Sequence, residues 1–256
     1  MKQLLRQTRF GPSTHFTINK INEVLHDFKG MPVTVRQLFY QFIGRGIFPQ
    51  DNKYYNRLSR AATNGRTAGL IDCDLIEDRV RYVHTEHRWD KEAPPPKCKS
   101  PWESLPYEPE IWIEKDALSG IAETVCGPEC VSYLPCRGYI SKSAMYAFQK
   151  RYFQSGRKIK ILYLGDYDPS GMEIFKDIER GLKLFKINMK PERIAITKEQ
   201  INKYKPTPNP AKGSDSNSEN FKKEFGIHSY EVDALDPKIL QQIIRNNILK
   251  YKRRKA

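Results

Sequence analysis

The stretch of sequence that decides the fold reads Leu162-Tyr163-Leu164-Gly165-Asp166-Tyr167-Asp168-Pro169-Ser170-Gly171. Residues 160–164 combine β-branched and aromatic side chains, which predicts a buried strand that ends at Gly165. Two aspartates follow, then a turn, and an amphipathic helix is predicted over about residues 171–185. A strand, an acidic loop and a helix in this order are typical of an α/β sheet that presents functional groups at the carboxyl ends of its strands.

The two aspartates at this strand end predict a metal site. The carboxylates of Asp166 and Asp168 repel each other, and burying them together without a cation is costly. Oxygen-only ligation favours a hard divalent ion, Mg²⁺. The alternative interpretation is a solvated turn with no ligand.

Composition restricts the function classes. The chain has 256 residues, of which 39% are apolar, enough for two small domains or one large domain with a real core. The net charge of +14 predicts a polyanionic partner, most simply nucleic acid. An acidic membrane surface is the other option, but no long apolar span, lipidation motif or signal peptide appears. Five cysteines argue against a disulfide framework and favour a reducing cytoplasm.

Residues 1–90 predict a small helical domain. A first helix is expected near residues 18–28. Thr34 and Gln37 have capping-box spacing, so a second helix is expected to begin there and to end at a nearby glycine. A third helix is predicted over about residues 52–68.

The third helix is basic, and short strands predicted at residues 70–71 and 79–84 would follow it. Helices followed by a small hairpin indicate a winged-helix domain, whose basic helix enters the major groove of DNA. The residues expected to contact DNA there are Arg57, Arg60 and Arg66. The alternative is a generic helical domain with solvated charges.

A proline-rich linker is predicted at residues 91–109, and an α/β domain over residues 110–256. Strands are expected near residues 111–113, 131–134, 160–164, 193–197 and 230–235, and helices near 117–125, 141–153, 171–185 and 237–249. This alternation predicts a Rossmann-like, mostly parallel sheet with helices on both faces. Residues 250–255 form a basic tail suited to phosphate contacts.

Glu114 follows the first strand of this domain. Because the ends of parallel strands share one edge, Glu114, Asp166 and Asp168 are expected to converge. Three acids around Mg²⁺ suit phosphoryl transfer. Glu114 is alternatively a general acid or base.

Other residues near the predicted strand ends are further candidates. Arg137 and Lys142 follow the second strand and are expected to bind the scissile phosphate. Asp233 ends the last predicted strand and is either a metal ligand or a surface acid. The cysteines and histidines that would supply a zinc site are Cys126, Cys130, Cys136, His84 and His87, but their spacing is poor and buried free thiols are the simpler interpretation.

Glu114, followed by Asp166-Tyr167-Asp168-Pro169-Ser170-Gly171, resembles the Toprim domain of topoisomerases, primases and related nucleases. Upstream, Arg36-Gln37-Leu38-Phe39-Tyr40 resembles the motif with the catalytic tyrosine in the A subunit of topoisomerase VI and its meiotic break-forming relative. Arg137-Gly138-Tyr139 is similar to that family's phosphate-contacting turn. The resemblance covers most of residues 30–256 and is strongest to the short, stand-alone mini-A proteins.

The resemblance implies a type IIB topoisomerase-like transesterase. Tyr40 would attack a phosphodiester of double-stranded DNA and form a phosphotyrosyl bond. Arg36 would stabilise the transition-state charge or make the phenol more acidic. In this family the tyrosine of one protomer meets the Toprim metal of the other, which implies a homodimer and a double-strand break. No Gly-rich ATP-binding motif is present, so any ATPase would be a separate B subunit.

Other functions stay open on the sequence. The chain has 14 tyrosines, and an aromatic residue in an amphipathic helix is usually packed. Tyr54 and Tyr55 are the alternative nucleophiles. A hydrolytic Toprim nuclease would use water instead of Tyr40, and a non-catalytic DNA-binding protein would keep the fold as an architectural module.

Overall fold

The computed structural model describes residues 2–78, 81, 83–84, 101–155, 158–210 and 228–252, and of residues 209 and 210 it describes the backbone only. The chain divides into two compact units. Unit 1 comprises Met1–Val80, Ser141–Gln149 and Leu184–Ile187, and unit 2 comprises the rest. Unit 1 therefore includes two short segments from within the predicted α/β domain.

Unit 1 is built on three helices and a short pair of strands. The elements are α1 (Pro12–Asp27), β1 (Val33–Thr34), α2 (Val35–Gly44), α3 (Asn52–Thr67), a 3₁₀ turn (Cys73–Leu75) and β2 (Ile76–Glu77). The capping box of α2 is confirmed, because Gln37 N donates to Thr34 Oγ1 at 3.2 Å and Thr34 N donates to Gln37 Oε1 at 2.8 Å. The helices pack around a core of buried residues that includes Ile21, Leu38, Phe42 and Leu58.

The wing of the predicted winged helix is not seen in the described part of unit 1. Leu70 and Ile71 form a bend instead of a strand, and Ile71 is buried in the core. β1 and β2 pair in parallel, with Val33 opposite Ile76, whereas a wing needs an antiparallel hairpin. Half of the strand predicted at residues 79–84 lies outside the described residues, and in the described half His84 forms an isolated antiparallel bridge with Tyr133.

Unit 2 is organised by a parallel sheet. Its first elements are β3 (Tyr107–Ile113), α4 (Ser119–Cys126), β4 (Ser132–Pro135), α5 (Lys142–Gln154, which begins in unit 1), β5 (Lys158–Leu164), α6 (Pro169–Leu184) and β6 (Glu192–Ala195). The later elements are α7 (Lys198–Tyr204), β7 (Asn209–Pro210), β8 (His228–Ser229) and α8 (Pro237–Lys252). Strands β3 to β6 form one four-stranded sheet in the order β4-β3-β5-β6, and every pair is parallel. The predicted parallel α/β sheet is confirmed.

Both faces of this sheet are covered by helices. Side chains alternate between the faces along each strand. One core cluster contains Ile111, Ile113, Leu162 and Leu164, together with buried residues of α4 and α8. Tyr163 points to the opposite face, where its ring lies 5.3 Å from that of Phe175 on α6. The central strands are therefore apolar on both sides, as expected for a buried parallel sheet.

Several predicted boundaries differ in unit 2. The strand expected at residues 230–235 is not formed, since Val232–Ala234 is a 3₁₀ turn. Trp102 is fully buried and β3 already begins at Tyr107, so the second half of the predicted linker is folded. Residues 91–100 and 253–256, which include the first half of the linker and part of the basic tail, lie outside the described residues.

Candidate functional site

The register of β3 and β5 brings the first two predicted acids together. Ile113 pairs with Leu164 at the strand ends, and Glu114 N donates to Leu164 O at 2.9 Å. Glu114 Oε2 then accepts a hydrogen bond from Asp166 N at 2.9 Å. A second bond at 3.2 Å joins it to the Tyr163 hydroxyl. The carboxylate of Glu114 is thus fixed against the loop that carries Asp166.

Gly165 makes this approach possible. A Cβ at residue 165 would lie 2.5 Å from both Glu114 Oε2 and the Tyr163 hydroxyl oxygen. Real Cβ atoms do not come so close to buried atoms, so any side chain here would push the Glu114 carboxylate away. The glycine that ends β5 is needed for the close contact between strand and acid.

Asp166 and Asp168 are each held by backbone amides. Asp166 Oδ1 accepts from Val232 N at 2.9 Å, and Asp166 Oδ2 forms an ion pair with Lys115 Nζ at 3.0 Å. Asp168 Oδ1 accepts from Gly171 N at 2.6 Å in the first turn of α6. The loop therefore fixes one oxygen of each aspartate.

Burial makes this strand end electrostatically unfavourable for two negative charges. Burial first, and then the charge of Asp166, raise the pKa of Glu114 to about 7, although the hydrogen bonds from Asp166 N and the Tyr163 hydroxyl oppose the shift. The pKa of Asp166 is also raised, again chiefly by burial, although Val232 N and Lys115 oppose the shift. The site favours an additional positive charge.

Arg193 on β6 is a site residue for which we predicted no role. Its Nη2 donates to Gly165 O at 2.7 Å and to Asp166 O, and its guanidinium lies 5.6 Å from the centre of the Tyr163 ring. Burial lowers its pKa. Arg193 fixes the backbone of the acidic loop and supplies positive charge near it. The signal in the sequence was an arginine directly before the apolar residues Ile194 and Ala195 of the strand.

Lys115 and two further acids adjoin Asp166. Lys115 Nζ lies 3.0 Å from Asp166 Oδ2, 3.3 Å from Glu231 Oε2 and 3.6 Å from Asp233 Oδ2. Burial lowers the pKa of Lys115, but Asp166 and the other two carboxylates outweigh it, and the net pKa is raised. Asp233 is thus near the acidic loop, although it lies in a 3₁₀ turn and not at a strand end.

The carboxylate oxygens of these acids are the kind of donor atom that a hard cation prefers. Among the described residues, no partner is found for Glu114 Oε1 or Asp168 Oδ2, so both oxygens are open to a ligand. Only oxygen donors are offered, which matches Mg²⁺. Asp166 Oδ2 is already paired with Lys115, which would compete with a cation for it. Within the described part of the chain, no three His, Cys, Asp or Glu side chains are gathered at metal-binding spacing.

The zinc alternative has no support in the same residues. Cys126 and Cys136 are buried free thiols, and burial raises the pKa of both. His84 stacks on Tyr133 with 4.5 Å between ring centres, and His87 lies outside the described residues. These cysteines are therefore best explained as small core residues.

The turn that contains Arg137 is attached to the acidic site. Gly138 N donates to Glu114 O at 3.1 Å. Arg137 adopts a positive φ of 53°, and its exposed side chain pairs with Asp116 at 3.0 Å. Lys142 is the first residue of α5 and belongs to unit 1. Of these two cations, only Arg137 has contacts within unit 2 that place it beside the acidic site.

Tyr40 lies in a separate cleft of unit 1. Its side chain is 54% exposed, unlike a packed core aromatic. The cleft has a volume of about 530 Å³ and is lined by Arg36, Phe39, Tyr40, Gln50, Asp51, Asn52 and Tyr55. Arg36 lies one helical turn before Tyr40 and lines the same cleft. The two alternative tyrosines are packed, since Tyr55 contacts Phe39 edge-on and Tyr54 contacts Phe48.

The predicted DNA-contacting arginines of α3 separate into two groups. Arg57 and Arg60 are exposed and line a second cleft of about 490 Å³ together with Lys53. Arg66 is only 5% exposed, and it donates to Ala62 O and to Ser143 Oγ. The prediction that Arg66 contacts DNA is therefore wrong, because its guanidinium is used inside unit 1.

No protein-family model and no curated protein matches this chain. The resemblance to topoisomerase VI thus rests on the motifs around Tyr40, Glu114 and Asp166. Among the described helices, none is both long and apolar enough to cross a membrane.

Proposed function

We propose that this chain is a DNA-cleaving enzyme like the tyrosine-bearing component of topoisomerase VI, with Tyr40 as the nucleophile and Mg²⁺ on Glu114, Asp166 and Asp168. The observation that carries the proposal is the acidic strand end itself. Glu114 and Asp166 are both buried and have raised pKa values, and the backbone N–H of Asp166 donates to the Glu114 carboxylate, at the edge of a parallel sheet. Buried paired carboxylates of this kind are typical of functional sites.

Several residues of the chain have distinct roles at the proposed cation site. When bound, Mg²⁺ would neutralise phosphate charge and orient the leaving oxygen. Glu114 Oε1 and Asp168 Oδ2 are the open ligand oxygens, and Arg193 keeps the loop backbone in place. Arg137 lies next to Glu114 through the Gly138 amide and would contact the phosphate after leaving Asp116.

The nucleophile half is supported by the exposure of Tyr40 and by the shared cleft with Arg36. In the proposed step the phenolic oxygen forms a bond to phosphorus and loses its proton, while the bond from phosphorus to one DNA oxygen breaks. The leaving oxygen takes up a proton. Arg36 balances the negative charge that develops on the phosphate.

The partners follow from the same proposal. Double-stranded DNA is the substrate that the net charge of +14 suits. As in the family it resembles, two copies of the chain would combine the tyrosine of one with the acids of the other, and a separate B subunit would supply any ATPase. The described cysteines are free thiols, as a reducing cytoplasm requires.

A hydrolytic nuclease is the second candidate, and one observation favours it. A carboxyl with a pKa of about 7 is well suited to take a proton from water near neutral pH. In that case Glu114 acts as a general base, water attacks the phosphate and the DNA ends are free of protein. Tyr40 then has no chemical role.

The two candidates are separated by cleavage of supercoiled DNA in Mg²⁺, followed by denaturing gels with and without protease. The transesterase proposal predicts protein-linked ends in the wild type, and loss of all cleavage in Tyr40→Phe. Tyr54→Phe is the matched control and should cleave normally. Persistent cleavage with free ends in Tyr40→Phe would establish the nuclease instead, and no cleavage by any of the three proteins would overturn both.

A further inference from the structure

Lys115 has an unusual position beside the acidic loop. Its ammonium group is shared by Asp166, Glu231 and Asp233 at 3.0, 3.3 and 3.6 Å. The side chain is 27% exposed, whereas that of Asp166 is 9% exposed. The closest of the three contacts is therefore to the most buried carboxylate, where an unpaired charge is most costly.

A backbone hydrogen bond links Asp166 to the segment that contains the other two partners of Lys115. Asp166 Oδ1 is bonded to Val232 N, the residue between Glu231 and Asp233. The 3₁₀ turn that presents these two acids is thus attached to the same aspartate that Lys115 neutralises. Lys115 already contacts both acceptors, so it can leave Asp166 without a large rearrangement.

A divalent cation bound to Asp166 Oδ2 would lie close to the Lys115 ammonium group, which is 3.0 Å from that oxygen, and the two positive charges would repel each other. Asp166 Oδ1 already accepts from Val232 N, so a cation on Asp166 competes with the ammonium group for Oδ2. Glu231 and Asp233 are 52% and 40% exposed, so water can solvate the ion pairs that Lys115 forms with them after it leaves Asp166. Lys115 therefore keeps carboxylate partners, at little cost in free energy, when a cation is bound to Asp166.

We propose that Lys115 is a positioning residue that neutralises Asp166 in the cation-free protein and transfers to Glu231 and Asp233 when a divalent cation binds. The proposal rests on the cation site put forward above. The apparent affinity for the cation then depends on how strongly Glu231 and Asp233 bind the displaced Lys115 side chain. Glu231 and Asp233 act on the cation through Lys115 and not as its ligands.

The test is Mg²⁺ binding by isothermal titration calorimetry to the full chain, without DNA. Removing the competitor in Lys115→Met should tighten binding about tenfold. Lys198→Met removes an exposed lysine of α7 and is the matched control, with unchanged binding. The double variant Glu231→Gln/Asp233→Asn should weaken binding about tenfold, because Lys115 then has only Asp166 as a partner.

The decisive comparison repeats the double substitution in the Lys115→Met background. There its effect should become severalfold smaller, since no lysine needs a new partner. An equal or larger effect in that background would overturn the exchange, as would unchanged affinity in both Lys115→Met and Lys115→Gln. If Mg²⁺ binds to none of the proteins, the cation site itself is wrong, whereas binding without this coupling refutes only the role of Lys115.

Discussion

Glu114→Gln should change how the stability of the protein depends on pH. Glutamine keeps the size of the side chain and an oxygen that accepts from Asp166 N, but it cannot ionise. In the wild type, burial and the neighbouring Asp166 raise the pKa of Glu114 from 4.5 to about 7. At about 1.4 kcal/mol for each pH unit, this difference corresponds to ~3 kcal/mol of unfolding free energy.

The sign follows from proton binding. The folded protein holds the Glu114 proton more tightly than the unfolded chain does, so the contribution to stability is fully present below pH 4.5. It is lost as the pH rises and is gone above about pH 7. Without divalent cations, the wild type should therefore lose stability relative to Glu114→Gln over this interval.

The assay is urea unfolding of both proteins at several pH values between about 4 and 8 in the presence of a chelator. The free energy of unfolding of the variant minus that of the wild type should increase by about 3 kcal/mol across this range. Glu123→Gln changes an exposed glutamate of α4 and should show no such trend. A constant difference between Glu114→Gln and the wild type at all pH values would refute the reasoning, because Glu114 would then ionise alike in both states.

Three further outcomes follow from contacts of the site and of α3. Gly165→Ala should lower the free energy of unfolding by about 1–3 kcal/mol and weaken Mg²⁺ binding, because the new Cβ displaces the Glu114 carboxylate; calorimetry and urea unfolding measure both. Arg193→Met should cost about 3 kcal/mol in urea unfolding, since it removes a partly buried charge that holds loop carbonyls, and wild-type stability would contradict this role. Arg60→Ala should weaken DNA binding and lower the slope of log affinity against log salt by about one, whereas Arg66→Ala should destabilise the protein and leave that slope unchanged.

The sheet and part of the acidic site could be predicted because short-range pattern and topology determine them. Apolar strands alternate with amphipathic helices, and parallel pairing then puts the residues after β3 and β5 at one edge. Glu114 and Asp166 are adjacent for this reason. The Thr34–Gln37 capping box is equally local, since its hydrogen bonds connect residues of a single helical turn.

Arg66 was wrongly predicted although the sequence contained the relevant signal. Leu58, Ala62 and Arg66 are spaced by one helical turn each, so they share one face of α3, and Leu58 and Ala62 are fully buried. Its charge suggested DNA contact, but its position on that face required burial.

The partners of Lys115 and Arg193 could not be predicted by such patterns. Lys115 contacts Glu231 and Asp233, which are more than 100 residues away in sequence. The residue between these two acids, Val232, donates a backbone hydrogen bond to Asp166. The segment around Asp233 looked like a strand because it alternates apolar and charged residues. The segment instead forms a 3₁₀ turn whose Val232 N donates to Asp166 Oδ1, and local pattern contains no information on that contact.

The central claim is that Tyr40 becomes covalently joined to DNA in a Mg²⁺-dependent step. The most direct measurement is mass spectrometry of the wild type after reaction with DNA and Mg²⁺, denaturation and exhaustive nuclease digestion. We expect a nucleotide adduct on the peptide that contains Tyr40, and its absence in Asp166→Asn or when Mg²⁺ is chelated. DNA that is cleaved while every tyrosine remains unmodified would contradict it.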